Sequence, residues 1–125
     1  GVPHVVYLSD NLDGEDVQRA GSATRYHDLF KPAGTNVNFI RITGPHALRI
    51  RTYERGVEGE TLACGTGAVA AALIAAALGK VSSPVAATTK GGEKLTVSFE
   101  REAEEFTGLH LEGEVKIVCE GILYV

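Results

Sequence analysis

The sequence contains no tryptophan and no methionine, and aromatic residues make up only 6% of it. A core without them must be built from aliphatic and small side chains. Its fifteen glycines supply many tight turns. There is no run of Lys or Arg and the net charge is -4. A phosphate-binding face needs clustered positive charge, so this argues against a nucleic-acid partner. The longest apolar run, Ala68 to Leu78, has 11 residues, against roughly 20 needed to cross a bilayer. It predicts a buried core helix and no membrane partner. Two cysteines, Cys64 and Cys119, are too few for a disulfide scaffold, and a reduced, cytoplasmic protein is expected. No His/Cys spacing suits a metal ion, so none is expected.

At 125 residues, 44% hydrophobic and 22% charged, the chain has the composition of one folded domain. It opens at Gly1 without methionine, which sets the expectation of a piece of a longer protein. His4 to Leu8 reads as a strand. Val17, Ala20, Gly21 and Thr24 recur at helical spacing, predicting a surface helix over about 15–27 with an acidic start and a basic end. Asn36 to Thr43 reads as a strand with Val37 and Phe39 on one face and Asn36 and Asn38 on the other. In Ala47 to Tyr53, Leu48, Ile50 and Thr52 should point inward and Arg49, Arg51 and Tyr53 outward. Further strands are expected at Val85 to Thr89, around Leu95, Val97 and Phe99, in a hairpin of Leu109 and Leu111 with Val115 to Val118 about a Glu112-Gly113 turn, and at Ile122 to Val125. Glu100 to Glu105 reads as a solvated acidic connection. Six or seven strands with one apolar helix, over about 65–79, predict an α+β domain in which a curved, barrel-like sheet covers that helix on every side.

The stretch from Tyr53 to Gly79 (YERGVEGETLACGTGAVAAALIAAALG) concentrates the candidate chemistry. Cys64 precedes Gly65-Thr66-Gly67 at a helix start. Unpaired N–H groups and the helix dipole attract anions there, and a cysteine so placed can titrate below its free value of about 8.5. Most free cysteines are nevertheless small buried hydrophobes, and residue types alone weigh both readings evenly. Arg55 is either half of an exposed ion pair with Glu54 or a bidentate clamp for a substrate carboxylate. Glu58 and Glu60 read as solvated loop charges. His4 is either structural or a site residue, and His27, His46 and His110 read as surface or helix-end residues. Cys119 reads as core. Asn36 and Asn38 sit at turn or strand-edge positions, or line a polar pocket.

Three segments, GVPH (1–4), GTNVNF (34–39) and YERGVEGETLACGTGA (53–68), closely resemble the second half of diaminopimelate epimerases. Their order and spacing match across the chain, including the later Gly-Gly turn and the terminal hairpins. The resemblance implies a fold of two pseudo-symmetric halves, each a barrel-like sheet around an apolar helix. It also implies a cofactor-free, metal-free and PLP-independent epimerase that interconverts LL- and meso-diaminopimelate in lysine biosynthesis. Two cysteines would flank the α-carbon, one removing a proton as thiolate and the other returning one as thiol. By motif, Cys64 is one of that pair, and Gly65 and Thr66 would offer backbone N–H groups to the α-carboxylate. Glu54 and His4 would tune the thiols. Arg55 and Asn36 would grip the distal end of the substrate, assisted by the Glu54 carbonyl.

The chain departs from the family pattern at three points. Val2 stands where many members have Asn, and the Val57-Glu58-Gly59 loop is one residue longer than the common form. The second cysteine is not here, and Cys119 lacks the glycine turn and helix to replace it. The expectation is therefore a single domain, 1–125, forming the C-terminal half of a two-domain enzyme and inactive without its N-terminal half. A face cut from such a partner should be apolar enough to support a homodimer. Proline-racemase-like or phenazine-biosynthesis-like isomerases are alternatives within the same fold. A non-catalytic anion-binding domain is the alternative from another class.

Overall fold

Alternating strands and two helical crossovers build a mixed, curved sheet with a helix on each face. The computed structural model describes residues 3–62, 64–103, 105–113 and 117–124, with backbone alone for 117–124. In chain order the elements are β1 (His4–Leu8), α1 (Val17–Arg25), β2 (Asn36–Gly44), β3 (Ala47–Glu54), β4 (Gly59–Thr61), α2 (Gly65–Ala77), β5 (Val85–Thr88), β6 (Lys94–Glu102), β7 (Glu105–Glu112) and β8 (Ile117–Tyr124). Single 3₁₀ turns lie at Leu12–Gly14 and Asp28–Phe30. The strand order is β1-β2-β3-β5-β6-β7-β8, with β4 paired on β3. Among the described residues no helix is long and apolar enough to cross a membrane.

Two neighbouring pairs are parallel, β1 with β2 and β3 with β5, and each is joined through a helix. Both units advance across the sheet in the same direction, but β3 runs antiparallel to β2. Right-handed crossovers on strands of opposite polarity place α1 and α2 on opposite faces. Burial follows this geometry. Val37, Phe39 and Tyr53 pack with Leu12 and Val17 under α1, whereas Ile40, Leu48 and Ile50 join the larger core around α2. Tyr53, expected to point outward to solvent, is on the outer face but only 1% exposed because α1 covers it. The helix can settle there because Gly21 lies directly on the Tyr53 side chain.

The surface helix is shorter than its periodicity suggests. Asp16 caps it by accepting from the Arg19 N–H, and Tyr26 ends it. α2 is the predicted apolar helix, and its alanines let the sheet approach closely while large side chains arrive from the strands. Leu95, Val97, Phe99, Phe106, Leu109 and Leu111 supply that bulk, with Phe99 and Phe106 edge to face at 5.1 Å. Gly79 closes the helix at φ +75°, and the Lys80 N–H reaches the Ala75 carbonyl at 2.9 Å. Arg101 donates to the Ala76 carbonyl at 2.7 Å, a cation placed where the helix dipole favours one.

Enclosure is incomplete. Thr66 and Ala77 are exposed and Ala70 and Ile74 only half-buried, so one helical stripe lies open. The sheet is a half-barrel ending at β1 and β8 rather than a closed cage. Three further expectations are corrected. β4 was not foreseen, being three residues without apolar alternation. The acidic run at 100–105 belongs to the β6–β7 hairpin, where Glu100 pairs with Thr107 and Glu102 with Glu105. β8 runs continuously from Ile117 to Tyr124 where two separate strands were expected. The Cys119 side chain lies outside the described residues.

Glu60 is not a solvated loop charge. Arg51 binds it through two hydrogen bonds of 2.7 and 2.8 Å, and Lys90 adds a third at 3.0 Å. The same guanidinium donates to the Leu12 and Glu15 carbonyls, tying β3 to the entry of α1. The Arg51 hydrogen bond, aided by Lys90, holds the Glu60 carboxyl below its ordinary value of 4.5, overcoming the opposing effect of burial.

Two predictions follow from this packing. Helix propensity alone would favour Gly21→Ala by about 1 kcal/mol. Contact with Tyr53 predicts the reverse, a net loss of about 1–3 kcal/mol from overpacking, and an unchanged or raised melting temperature would contradict the packing. A depressed carboxylate stabilises the fold above its unfolded-state value, and that contribution is lost as pH falls through the folded-state value. Glu60→Gln should therefore be less stable than wild type near neutral pH, and the gap should close as pH falls below the ordinary carboxyl value of 4.5 and through the lowered folded-state value. A gap that persists in acid, measured by denaturant unfolding, would remove the ion pair as its cause.

Candidate active site

The first turn of α2 carries Cys64 as its N-cap. The Cys64 backbone is extended (φ -145°, ψ 108°), and its carbonyl accepts the first helical bond from the Ala68 N–H at 2.9 Å. Its sulfur accepts from the Gly67 N–H at 3.4 Å and lies 3.5 Å from the Thr66 hydroxyl. The thiol is free and half-buried. The N–H groups of Gly65 and Thr66 precede the first intrahelical bond and are the orphan donors of a helix start. Together with the dipole they favour an anion such as a carboxylate.

That turn presses against β2. A Cβ on Gly67 would lie 2.5 Å from Asn38 Oδ1 and 3.3 Å from Cys64 Sγ. Glycine is therefore required at 67 by close approach rather than by helix chemistry. Asn38 is fully buried. Its amide lies 3.2 Å from His4 Nδ1 and 3.3 Å from the Val5 carbonyl, while the Thr52 hydroxyl donates to its oxygen at 2.9 Å. Asn38 thus joins His4 to the turn that holds Cys64. His4 is half-buried, and burial pushes its pKa below the usual histidine value.

A second group forms at the same sheet end. His4 pairs in register with Asn36, and the Asn36 side-chain oxygen accepts from the Arg55 N–H at 2.7 Å. Arg55 Nη1 donates to the Ala33 carbonyl at 3.2 Å. Glu54 ends β3, and its carbonyl accepts from the Glu58 N–H at 2.9 Å, so a ligand would share that oxygen. The predicted site residues therefore converge on one end of the sheet in two groups, one joined through packing and one hydrogen-bonded. His4 and Cys64 meet around Asn38, and Asn36 and Arg55 bond directly. Val2 lies outside the described residues.

The loop after β3 is held by Glu58. Glu58 has positive φ (57°), and Gly56 lies at 93°. Rather than a solvated charge, Glu58 is clamped by the Arg25 guanidinium of α1, at 2.9 Å from Nη2 and 3.2 Å from Nε. The Tyr53 hydroxyl and the Gly56 N–H also donate to its carboxylate, each at 3.2 Å. The loop bearing Glu54 and Arg55 is thereby anchored to α1. Sequence reasoning did not find this clamp, nor the Asn38–Thr52 pair. The available signal for the latter was polar residues at inward positions of strands that otherwise bury Ile40, Leu48 and Ile50. His27 and His46 are turn residues, His27 Nδ1 accepting from the Leu29 N–H and His46 Nδ1 bonding the Ser82 carbonyl.

Comparison with known proteins bears on this geometry. A family model described as diaminopimelate epimerase matches residues 1–118. The diaminopimelate epimerases of Flavobacterium psychrophilum and Chlorobaculum tepidum are 48% and 50% identical over 120 and 124 residues, 96% and 98% of this chain and 47% of each relative. That of Archaeoglobus fulgidus is 54% identical over 92 residues, 74% of this chain and 32% of the relative. The chain spans about half the length of the first two relatives. Among solved structures, a predicted epimerase of Pseudomonas aeruginosa superposes with a TM-score of 0.62 at 18% identity, over 90% of this chain and 36% of that one. A phenazine biosynthesis protein of the PhzF family from Bacillus anthracis gives 0.59 at 19%, over 88% and 35%. These two likenesses establish the fold, and the sequence matches establish the lineage: the chain belongs to the diaminopimelate epimerase family.

Proposed function

We propose that this chain is the C-terminal half of a cofactor-independent epimerase that converts LL-diaminopimelate to meso-diaminopimelate in cytoplasmic lysine biosynthesis. The observation that carries the reading is the thiol of Cys64 at a helix N-cap, beside two orphan N–H groups and above a buried polar network. Family membership supports the substrate, and the length of the relatives supports a missing half.

In this reading Cys64 is one of two acid/base thiols, and the N-terminal half supplies the other on the opposite face of the substrate. One sulfur, as thiolate, takes the α-proton and leaves a carbanion. The opposite thiol gives its proton to the far face, inverting the centre and exchanging the protonation states of the two sulfurs. The α-hydrogen of an amino acid is a very weak acid, so the developing negative charge needs fixed donors. Gly65 and Thr66 N–H supply them at the α-carboxylate. Glu54 and His4 adjust the thiol pair. Asn36 turns its oxygen to the Arg55 N–H, which leaves its NH2 to donate to the distal amino-acid group, and the Arg55 fork binds the distal carboxylate.

In the complete polypeptide, Cys64→Ser should lower kcat by orders of magnitude with little change in melting temperature. Near-normal turnover would take Cys64 out of the reaction. Residues 1–125 alone should show no conversion, because one base cannot both remove and return a proton on opposite faces. Turnover by this chain alone, followed by chiral separation of the isomers, would contradict the half-site reading.

A further inference from the structure

The hydrogen bonds around Asn38 determine more than its own position. Its amide group lies 3.3 Å from the Val5 carbonyl, and a carbonyl can only accept. The end of Asn38 facing Val5 and His4 is therefore the NH2, with its oxygen turned to the Thr52 hydroxyl at 2.9 Å. The same NH2 lies 3.2 Å from His4 Nδ1. An NH2 donates and does not accept, so Nδ1 must offer its lone pair. A neutral imidazole carries one ring proton, which then resides on Nε2. A protonated ring would set an Nδ1–H against the amide hydrogens, donor against donor. The amide cannot swing aside, because it is fully buried and wedged between β1, Thr52 and the α-carbon of Gly67.

We infer that Asn38 is a positioning residue that locks His4 as the neutral Nε2–H tautomer, so that the far edge of the ring is a hydrogen-bond donor rather than a base. In the epimerase reading, on which the catalytic part of this inference rests, His4 cannot relay the thiol proton by accepting it. Through Nε2 it stabilises a neighbouring anion, either a thiolate or a bound carboxylate. The proton removed from carbon then leaves the sulfur by exchange with solvent rather than through the ring, which returns that sulfur to thiolate for the next LL substrate.

The tautomer is read directly by long-range ¹H–¹⁵N correlation NMR on the uniformly labelled protein near neutral pH, with His4→Gln assigning the signals. The expected pattern is a protonated Nε2 and a bare Nδ1. An Nδ1–H ring, a cationic ring or a fast average of the two tautomers overturns the inference, with no substrate involved. Asn38→Asp places an acceptor opposite Nδ1 and should move the proton there. In the complete polypeptide it should lower kcat on the order of 10–100-fold with KM little changed, while the acceptor it sets against the Val5 carbonyl lowers the melting temperature. Asn38→Leu should release the lock and give mixed tautomers. If Asn38→Asp keeps both the Nε2–H pattern and full kcat, the inference fails. A protein with the expected tautomer but no epimerase activity would refute the functional reading alone.

Discussion

The close approach of α2 to β2 is the constraint on which the site depends. A helix that is apolar around most of its circumference must be enclosed, and here a half-barrel of strands encloses all but one stripe. Small residues make the fit possible. The alanines of α2 leave room for the large side chains of β6 and β7, and Gly67 leaves none to spare against Asn38. A buried amide at that junction would be costly without partners. It is bonded to His4, Val5 and Thr52, so the junction that packs the helix also orders the polar groups beside Cys64.

Strand polarity explains why the chemistry gathers at one end. β1 and β2 start there, bringing His4 and Asn36, and β3 finishes there with Glu54. After the short return of β4 the chain must run back to reach β5, which is parallel to β3. α2 therefore begins at the same end, with its positive pole and Cys64 among the strand-end residues. The loop between β3 and β4 would be the least constrained part of this group. The Arg25–Glu58 pair fastens it to the helix on the other face.

Much of this was legible from residue patterns. The alternation in β2, β3 and β6 and the apolar run of α2 gave the sheet and its central helix, because periodicity reports which faces are buried. Cys64 at a helix start was also legible, because it stands just before the apolar run, but residue types alone left its chemistry evenly weighted. What could not be read were contacts between distant segments. Tyr53 looks solvent-facing until α1 is known to lie over it. Glu58 and Glu60 look like loop charges until Arg25 and Arg51 arrive from other elements. Asn38 was noted as one of two amides on a strand face. Only its register with Val6 and Thr52, and the pressure of Gly67 from above, show which partners satisfy it.

The central claim is that Cys64 is one of two bases on opposite faces of a carbon acid. Its most direct test is the early time course of the complete polypeptide acting on LL-diaminopimelate in D₂O, followed by mass spectrometry and NMR of both isomers. The account predicts that each meso molecule formed carries solvent deuterium at the inverted carbon, while recovered LL substrate keeps its original hydrogen. Product that retains the substrate hydrogen, or substrate that exchanges as fast as product forms, would contradict it.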